Sequence, residues 1–450
     1  MKKIAVLDFG GQYTHLIANR VRNLGMYSEI FQPEIFDPMT EKDTIGIILS
    51  GGPHSVVDAG SPTLKFDPAT SRCPILGLCY GHQLLAKLLG GTVEQGKTRE
   101  YGPAEISCEA SSRLFNSNSK TRKVWMSHGD HVSSLPAGLS ITSSSTDLPI
   151  ASFESSDGKF FGLQFHPEVS HTENGNEILE RFLSFCSPQK NWTPGAFRKE
   201  LVERVREETG ENRLFLLLSG GVDSLVALAL CLEAVGPERV LSLHVDTGFM
   251  RKNESIDIIA HLKRCGFENV LVENGQDLFL DKLAGVTDPE RKREIIGNLF
   301  VDIVDRRMKD LEDDNGWLLV QGTIYPDRIE SGATKNSSKI KTHHNRVEAI
   351  KKLIEQGRVL EPLRDLYKDE VRVLGKELGL PETLIHRHPF PGPGLAVRIL
   401  TSPTDQAEAG FDRENPQLQN ILARFGLEGC ILPVKSVGVM GDSRTYLHPA

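Results

Sequence analysis

Two doubly wound α/β domains with mainly parallel sheets, followed by a partial α+β C-terminal module, are the fold class this sequence predicts. Three observations predict it. Short apolar runs alternate with longer stretches of helical spacing, as in parallel sheets covered by helices. Two glycine-rich junctions, Gly77-Leu78-Cys79-Tyr80-Gly81 and Ser219-Gly220-Gly221-Val222-Asp223-Ser224, each lead from an apolar run into an apolar helical stretch. Between them, Ser187–Gly195 (SPQKNWTPG) breaks the composition with Pro, Gly and polar residues, as a connection between domains does.

The first domain, residues 1–187, should hold strands at Lys3–Phe9, Ile45–Ser50, Pro74–Leu78 and Lys159–Phe165, with a helix over His82–Leu89 after the third. A linker is expected at 188–196. The second domain, 197–386, opens on a charged helix, Phe197–Glu208. A fully apolar strand at Leu214–Leu218, an apolar helix at Leu225–Val235 and strands at Val240–Val245 and Asn269–Val272 follow. From 387 the pattern changes. His388–Gly394 (HPFPGPG) is too rich in Pro and Gly for a helix, and Ile431–Val439 reads as a strand.

Bulk properties narrow the function. At 450 residues the chain exceeds one ordinary core. A net charge of −8 disfavours a nucleic-acid footprint, which needs a basic face. Seven scattered cysteines without CxxC spacing argue against disulfides or zinc and for a reducing, cytoplasmic setting. No apolar run is long enough to span a membrane, and Asp8 interrupts the first apolar stretch, unlike a signal peptide.

Cys79 sits where a strand turns sharply into a helix. Flanking glycines permit the strained turn that exposes the middle side chain, and the helix N-terminus favours a thiolate there. Most free cysteines are merely small buried residues, but two other segments favour chemistry. In Phe165-His166-Pro167-Glu168, His166 can take the thiol proton and Glu168 can orient the imidazole. In Ser50-Gly51-Gly52-Pro53, bare backbone N–H groups can face an oxyanion. Together GLCYGHQ, FHPEV and SGGP resemble the class I glutamine amidotransferase family across residues 1–186. That resemblance implies a triad of Cys79, His166 and Glu168, an oxyanion hole from Gly52 and Tyr80, and glutamine contacts by Gln83 and by Ser127, His128, Gly129 and Asp130.

Ser219–Ser224 presents consecutive N–H groups at a helix N-terminus, an arrangement that binds phosphate; a capped tight turn has the same look. No Gly-Lys-Ser/Thr follows, so it is not a Walker loop. SGGVDS resembles the signature of the N-type ATP pyrophosphatases, which implies ATP contacts by Ser219, Gly220, Gly221, Val222, Asp223 and Ser224.

GTIYPD (322–327), Lys339–Arg346 (KIKTHHNR) and HPFPGPGLAVR (388–398) are more particular. Asp327 is a candidate neighbour for Mg²⁺. With the earlier motifs, these segments resemble the GMP synthase family along the whole chain. The resemblance implies nucleotide contacts near Val245, Gly322, Asp327 and Lys368. It implies an XMP lid of Lys341, His343, His344 and Asn345, and XMP contacts by Arg293, Pro391, Gly392, Pro393 and Gly394. The expected activity is glutamine-dependent amination of XMP to GMP with ATP and Mg²⁺, with no nucleic-acid or membrane partner. Relative to that family the chain stops before the C-terminal residues that help hold XMP, which leaves homodimerisation open. Another glutamine-fed ATP pyrophosphatase, or a catalytically incomplete nucleotide-binding fragment, are the competing readings.

Overall fold

The computed structural model describes residues 1–115, 120–264, 266–267, 269–310, 316–327, 353–386, 394–399, 416–429, 435–440 and 443–449. The chain divides into two compact units, the first over Met1–Phe197 and the second from Arg198 onward.

In unit 1, chain order runs β1 (Lys3–Leu7), α1 (Thr14–Asn23), β2 (Ser28–Phe31), β3 (Thr44–Leu49), β4 (Ile75–Leu78), α2 (Tyr80–Leu88), β5 (Thr92–Cys108), β6 (Thr121–Ser134), β7 (Leu139–Ser144), β8 (Ser152–Ser155), β9 (Phe160–Leu163) and α3 (Gly175–Cys186). One nine-stranded sheet has the order β2-β1-β3-β4-β9-β8-β7-β5-β6. Its first five strands pair in parallel, β1 with β2 and β3, β3 with β4, and β4 with β9. The remaining strands pair antiparallel. Ile4–Leu7, Ile47–Leu49 and Ile75–Leu76 are fully buried, as central parallel strands covered on both faces require. All four expected strands of this domain are present, within a few residues at their ends.

The antiparallel flank was not expected from sequence. Its main hairpin pairs β5 with β6, and the register jumps between Gln95 and Glu100. Gln95 lies opposite Asp130 and Glu100 opposite His128, so residues 96–99 form a bulge facing Gly129.

Residues 191–196, at the end of the segment read as a linker, belong to unit 1, and so does Phe197, which was expected to open the second domain. The Asn191 and Trp192 amides donate to Gly25 O at 2.9 and 3.0 Å. Asn191 also accepts from Tyr27 N and donates to Lys2 O. The Trp192 indole is buried, with ring centroids 4.9 Å from Tyr27 and 4.8 Å from Phe197, and the Arg22 guanidinium lies 5.1 Å from it. A helix, α4 (Pro194–Thr209), begins within this segment.

Unit 2 continues with β10 (Arg213–Leu217), α5 (Val222–Val235), β11 (Val240–Asp246), α6 (Glu254–Arg264), β12 (Val270–Asn274), α7 (Gln276–Leu283), α8 (Pro289–Asp310), β13 (Trp317–Val320), β14 (Val359–Leu360) and α9 (Lys368–Glu377). Its sheet, ordered β12-β11-β10-β13-β14, is parallel throughout. The Ser219–Ser224 loop leaves the central strand β10, at the carboxyl edge where open α/β sheets hold ligands. In the C-terminal part, Lys435–Met440 and Ser443–Pro449 form an antiparallel pair, and the helix Pro416–Phe425 precedes them.

Candidate active sites in the two units

Cys79 caps the start of α2 with φ 51° and ψ −105°, a conformation few side-chain-bearing residues adopt. Two glycines make the turn possible. A Cβ on Gly77 would lie 2.4 Å from Gly81 O, and one on Gly81 would lie 2.4 Å from Leu49 O. The turn is held from outside by Cys79 N donating to Leu163 O at 2.8 Å and by Gly81 N donating to Ser50 O at 3.1 Å. Tyr80 through Ala86 are all buried, so α2 is a core helix with Cys79 at its N-terminal end. The Cys79 thiol donates to Ser127 O at 3.2 Å.

His166 follows β9, and its Nδ1 lies 2.7 Å from the fully buried Glu168 Oε1. Burial opposes the charged ring, but the Glu168 carboxylate and the Cys79 sulfur outweigh it and hold the His166 pKa well above the usual value. An imidazolium here offers a thiolate its counter-charge. Gly51 sits against both partners: a Cβ there would be 3.1 Å from His166 Cε1 and 3.7 Å from Cys79 Cβ. Gly52 is the next residue after Gly51. Tyr80 is the first residue of α2, where backbone N–H groups have no acceptor within the helix. A Cβ on Gly52 would lie 2.6 Å from Phe9 O, so that residue must also be glycine.

The expected glutamine-side residues gather in the same place. Gln83 Nε2 donates to Asp130 O at 2.7 Å and to Gln164 Oε1 at 3.1 Å. His128 joins Asp130 O through Nδ1 and Glu100 Oε2 through Nε2, each at 3.1 Å. Burial lowers its pKa despite Glu100. Gly129 is the residue opposite the β5 bulge.

Three participants were missed in the sequence. Tyr13 packs edge-on to His166 at 5.0 Å and 70°. Ser55 donates to the Asp130 carboxylate. Glu100 meets His128. Only the first had a local signal, the FGGQY run, in which a Cβ on Gly11 would lie 2.4 Å from Gly51 O.

In unit 2, Gly220 takes φ 75° and Gly221 caps α5. Gly221 N donates to Ser219 Oγ at 3.3 Å, Ser219 Oγ lies 3.3 Å from Ser224 Oγ, and Ser224 Oγ donates to Gly221 O at 2.9 Å. These bonds shape a turn at the start of α5, where the first helical N–H groups have no acceptor within the helix. Lys368, the first residue of α9, reaches Asp223 Oδ2. The other carboxylate oxygen of Asp223 is buried with no hydrogen-bond partner among the described residues. Gly322 approaches the same backbone, since a Cβ there would be 3.3 Å from Ser224 N. Val245 is buried at the end of β11.

The structure therefore brings Ser219–Ser224, Gly322 and Lys368 together. Asp327 accepts from Ile324 N at 3.4 Å and lies in the helical turn, residues 325–327, that follows the Gly322 segment. Arg293 pairs with Glu290 on its own helix and makes no described contact with the Ser219–Ser224 loop. Gly394, at φ 66°, opens a short turn in which Leu395 N donates to Phe249 O at 2.7 Å. Lys341, His343, His344, Asn345, Pro391, Gly392 and Pro393 lie outside the described residues. No helix among those described is long and apolar enough to cross a membrane.

Known proteins are similar to this chain over nearly its whole length. A Leptospira interrogans protein described as a probable glutamine-hydrolysing GMP synthase is 50% identical, over 99% of this chain and 74% of its own length. The chain belongs to the glutamine-hydrolysing GMP synthase family. A GMP synthase (glutamine-hydrolysing) of Methylococcus capsulatus is 44% identical, over 99% of this chain and 88% of its own length. The class-I glutamine amidotransferase family model matches residues 5–185, and the NAD synthase family model matches 196–278. The first span contains the Cys79 elbow and the second the Ser219–Ser224 loop. Among solved structures, a glutamine amidotransferase of Thermotoga maritima is 22% identical with a TM-score of 0.32, covering 45% of this chain and 84% of that one.

Proposed function

We propose that this chain is a ligase that makes GMP from XMP, using ATP for activation and glutamine as nitrogen donor, and that the two sites above divide the work. The observation that carries the reading is the pairing, in one chain, of a Cys79–His166–Glu168 triad with a glycine cradle at the carboxyl edge of a parallel sheet.

In unit 1, the Cys79 sulfur attacks the side-chain amide carbon of glutamine. Negative charge develops on the amide oxygen, which the N–H groups of Gly52 and Tyr80 face. The His166 imidazolium gives its proton to the departing nitrogen, which leaves as ammonia, and a glutamyl thioester remains. Water, deprotonated by His166, then releases glutamate and frees the sulfur.

In unit 2, the phosphates of ATP lie on the N–H groups of the Ser219–Ser224 loop, close to Lys368. The O2 oxygen of XMP attacks the α-phosphorus and expels pyrophosphate, giving adenyl-XMP. Ammonia then adds at C2 and AMP leaves, which a bare oxygen on the purine would not do. The residues fit a Mg²⁺ ion: Asp223 has a carboxylate oxygen without a partner among the described residues, and Asp327 lies in the helical turn after Gly322. Such an ion would neutralise charge on the phosphate oxygens.

The test is ATP-to-AMP turnover by the full chain with glutamine as nitrogen donor. AMP release should require XMP and match GMP formation one to one. AMP release that ignores XMP, or follows another acceptor, would reject the substrate.

A further inference from the structure

β11 reads Val240-Leu-Ser-Leu-His-Val-Asp246, and its middle is covered on both faces. His244 in that strand is only 1% exposed. A buried imidazole costs free energy unless both ring nitrogens find partners. Both do. Nδ1 lies 2.9 Å from Leu218 O, and Nε2 lies 3.0 Å from Ser255 Oγ in the first turn of α6. A carbonyl oxygen only accepts, so Nδ1 carries the proton. Nε2 then pairs with the Ser255 hydroxyl, which can donate or accept.

The carbonyl that His244 holds is the last one before the phosphate cradle. Leu218 N is held as well, donating to Leu243 O at 2.8 Å. Adjacent residues of β11 thus grip both sides of Leu218. The peptide from Leu218 to Ser219 is trans and planar, so its C=O and N–H point in opposite directions. Tying Leu218 O to the imidazole turns the Ser219 N–H away from β11 and sets the direction in which the loop begins.

We propose that His244, oriented by Ser255, is a positioning residue for ATP: it fixes the peptide plane at the entrance to the Ser219–Ser224 cradle. This rests on the reading that the cradle binds the phosphates of ATP. A side chain that merely filled the core would leave the geometry of the loop unaffected when replaced by another ring of similar size. Loss of this hydrogen bond leaves a buried carbonyl unpaired next to the loop.

The experiment measures GMP formation by the full chain with an ammonium salt as nitrogen source, varying ATP and XMP separately. His244→Phe should raise KM for ATP about tenfold or more, the size expected when a buried carbonyl loses its donor, while KM for XMP stays within about twofold. His244→Asn, whose amide can still reach Leu218 O, should restore most of the ATP affinity. Ser255→Ala should raise KM for ATP about threefold by freeing the ring, and it reports on the same link if the Phe variant does not fold. Unchanged KM for ATP in Ser255→Ala and in a folded His244→Phe overturns the proposal, as does an equal rise for ATP and XMP. Asp223→Ala separates the two levels. If ATP cleavage survives it intact, the cradle itself is misread and the positioning role falls with it. If cleavage is lost while the His244 variants behave like the unaltered chain, only the positioning role fails.

Discussion

Glu168 shows how one side chain sets the chemistry of another. Its Oε1 lies 2.7 Å from His166 Nδ1 in a site closed to solvent. Burial alone would keep the ring neutral, yet Glu168 and Cys79 raise its pKa well above the usual value. A raised folded-state value means that the protonated ring stabilises the fold. That stabilisation is complete below the ordinary imidazole pKa of about 6.5 and is lost as pH rises through the higher folded value. Glu168→Gln should therefore move the alkaline limb of glutaminase activity to lower pH, and should flatten the dependence of unit 1 melting on pH across that window. An unmoved limb would show that Glu168 does not hold the proton on His166. Cys79, His166 and Glu168 were legible in the sequence because each sits in a short run with its own turn chemistry. Tyr13, Ser55 and Glu100 were not, because only loop packing and strand pairing bring their side chains against His166, Asp130 and His128. His82 belongs to the same motif as Cys79 yet does no chemistry here. It is completely buried against Phe153, and burial first, with His128 nearby, pulls its pKa down to about 3.

At the level of elements, the elbow depends on two backbones passing without side chains between them. Gly77→Ala would place a methyl group 2.4 Å from Gly81 O and 2.7 Å from His82 N, atoms that cannot rotate aside. Overpacking of this kind costs roughly 1–3 kcal/mol. The expected outcome is a lower melting temperature for unit 1 together with loss of glutaminase activity, because the shift falls on Cys79. Retained activity with an unshifted melting curve would mean that the turn has room the geometry does not show. Parallel strands such as β1, β3 and β10 announced themselves as continuous apolar runs because both of their faces are covered. The long β5–β6 hairpin did not. β5 carries Gly96, Gly102 and Pro103, residues that argue against a strand, and a bulge interrupts its pairing. Tertiary pairing overrides that local preference, and the glutamine-side residues of β6 depend on it.

For the whole molecule, the central expectation is a division of labour between the units. Cys79→Ala should abolish GMP formation from glutamine and leave formation from ammonium salts near its original rate, since the nitrogen then bypasses the triad. Equal loss of both would show that the thiol serves the synthetase as well. The fold class, the order of the two units and the chemistry of each were readable from motifs that sit at strand ends. The lid and the Pro/Gly loop, by contrast, rest on resemblance alone.

The seating of Trp192 between Tyr27, Phe197 and Arg22 bears on how such enzymes can be rebuilt. Composition places the linker at 188–196, but the first unit keeps its grip on the chain through Phe197. A chimera that grafts this module onto a foreign synthetase should be spliced after Phe197. A graft cut at Ser187 would strip the indole from Tyr27 and leave that aromatic face for the recipient sequence to cover.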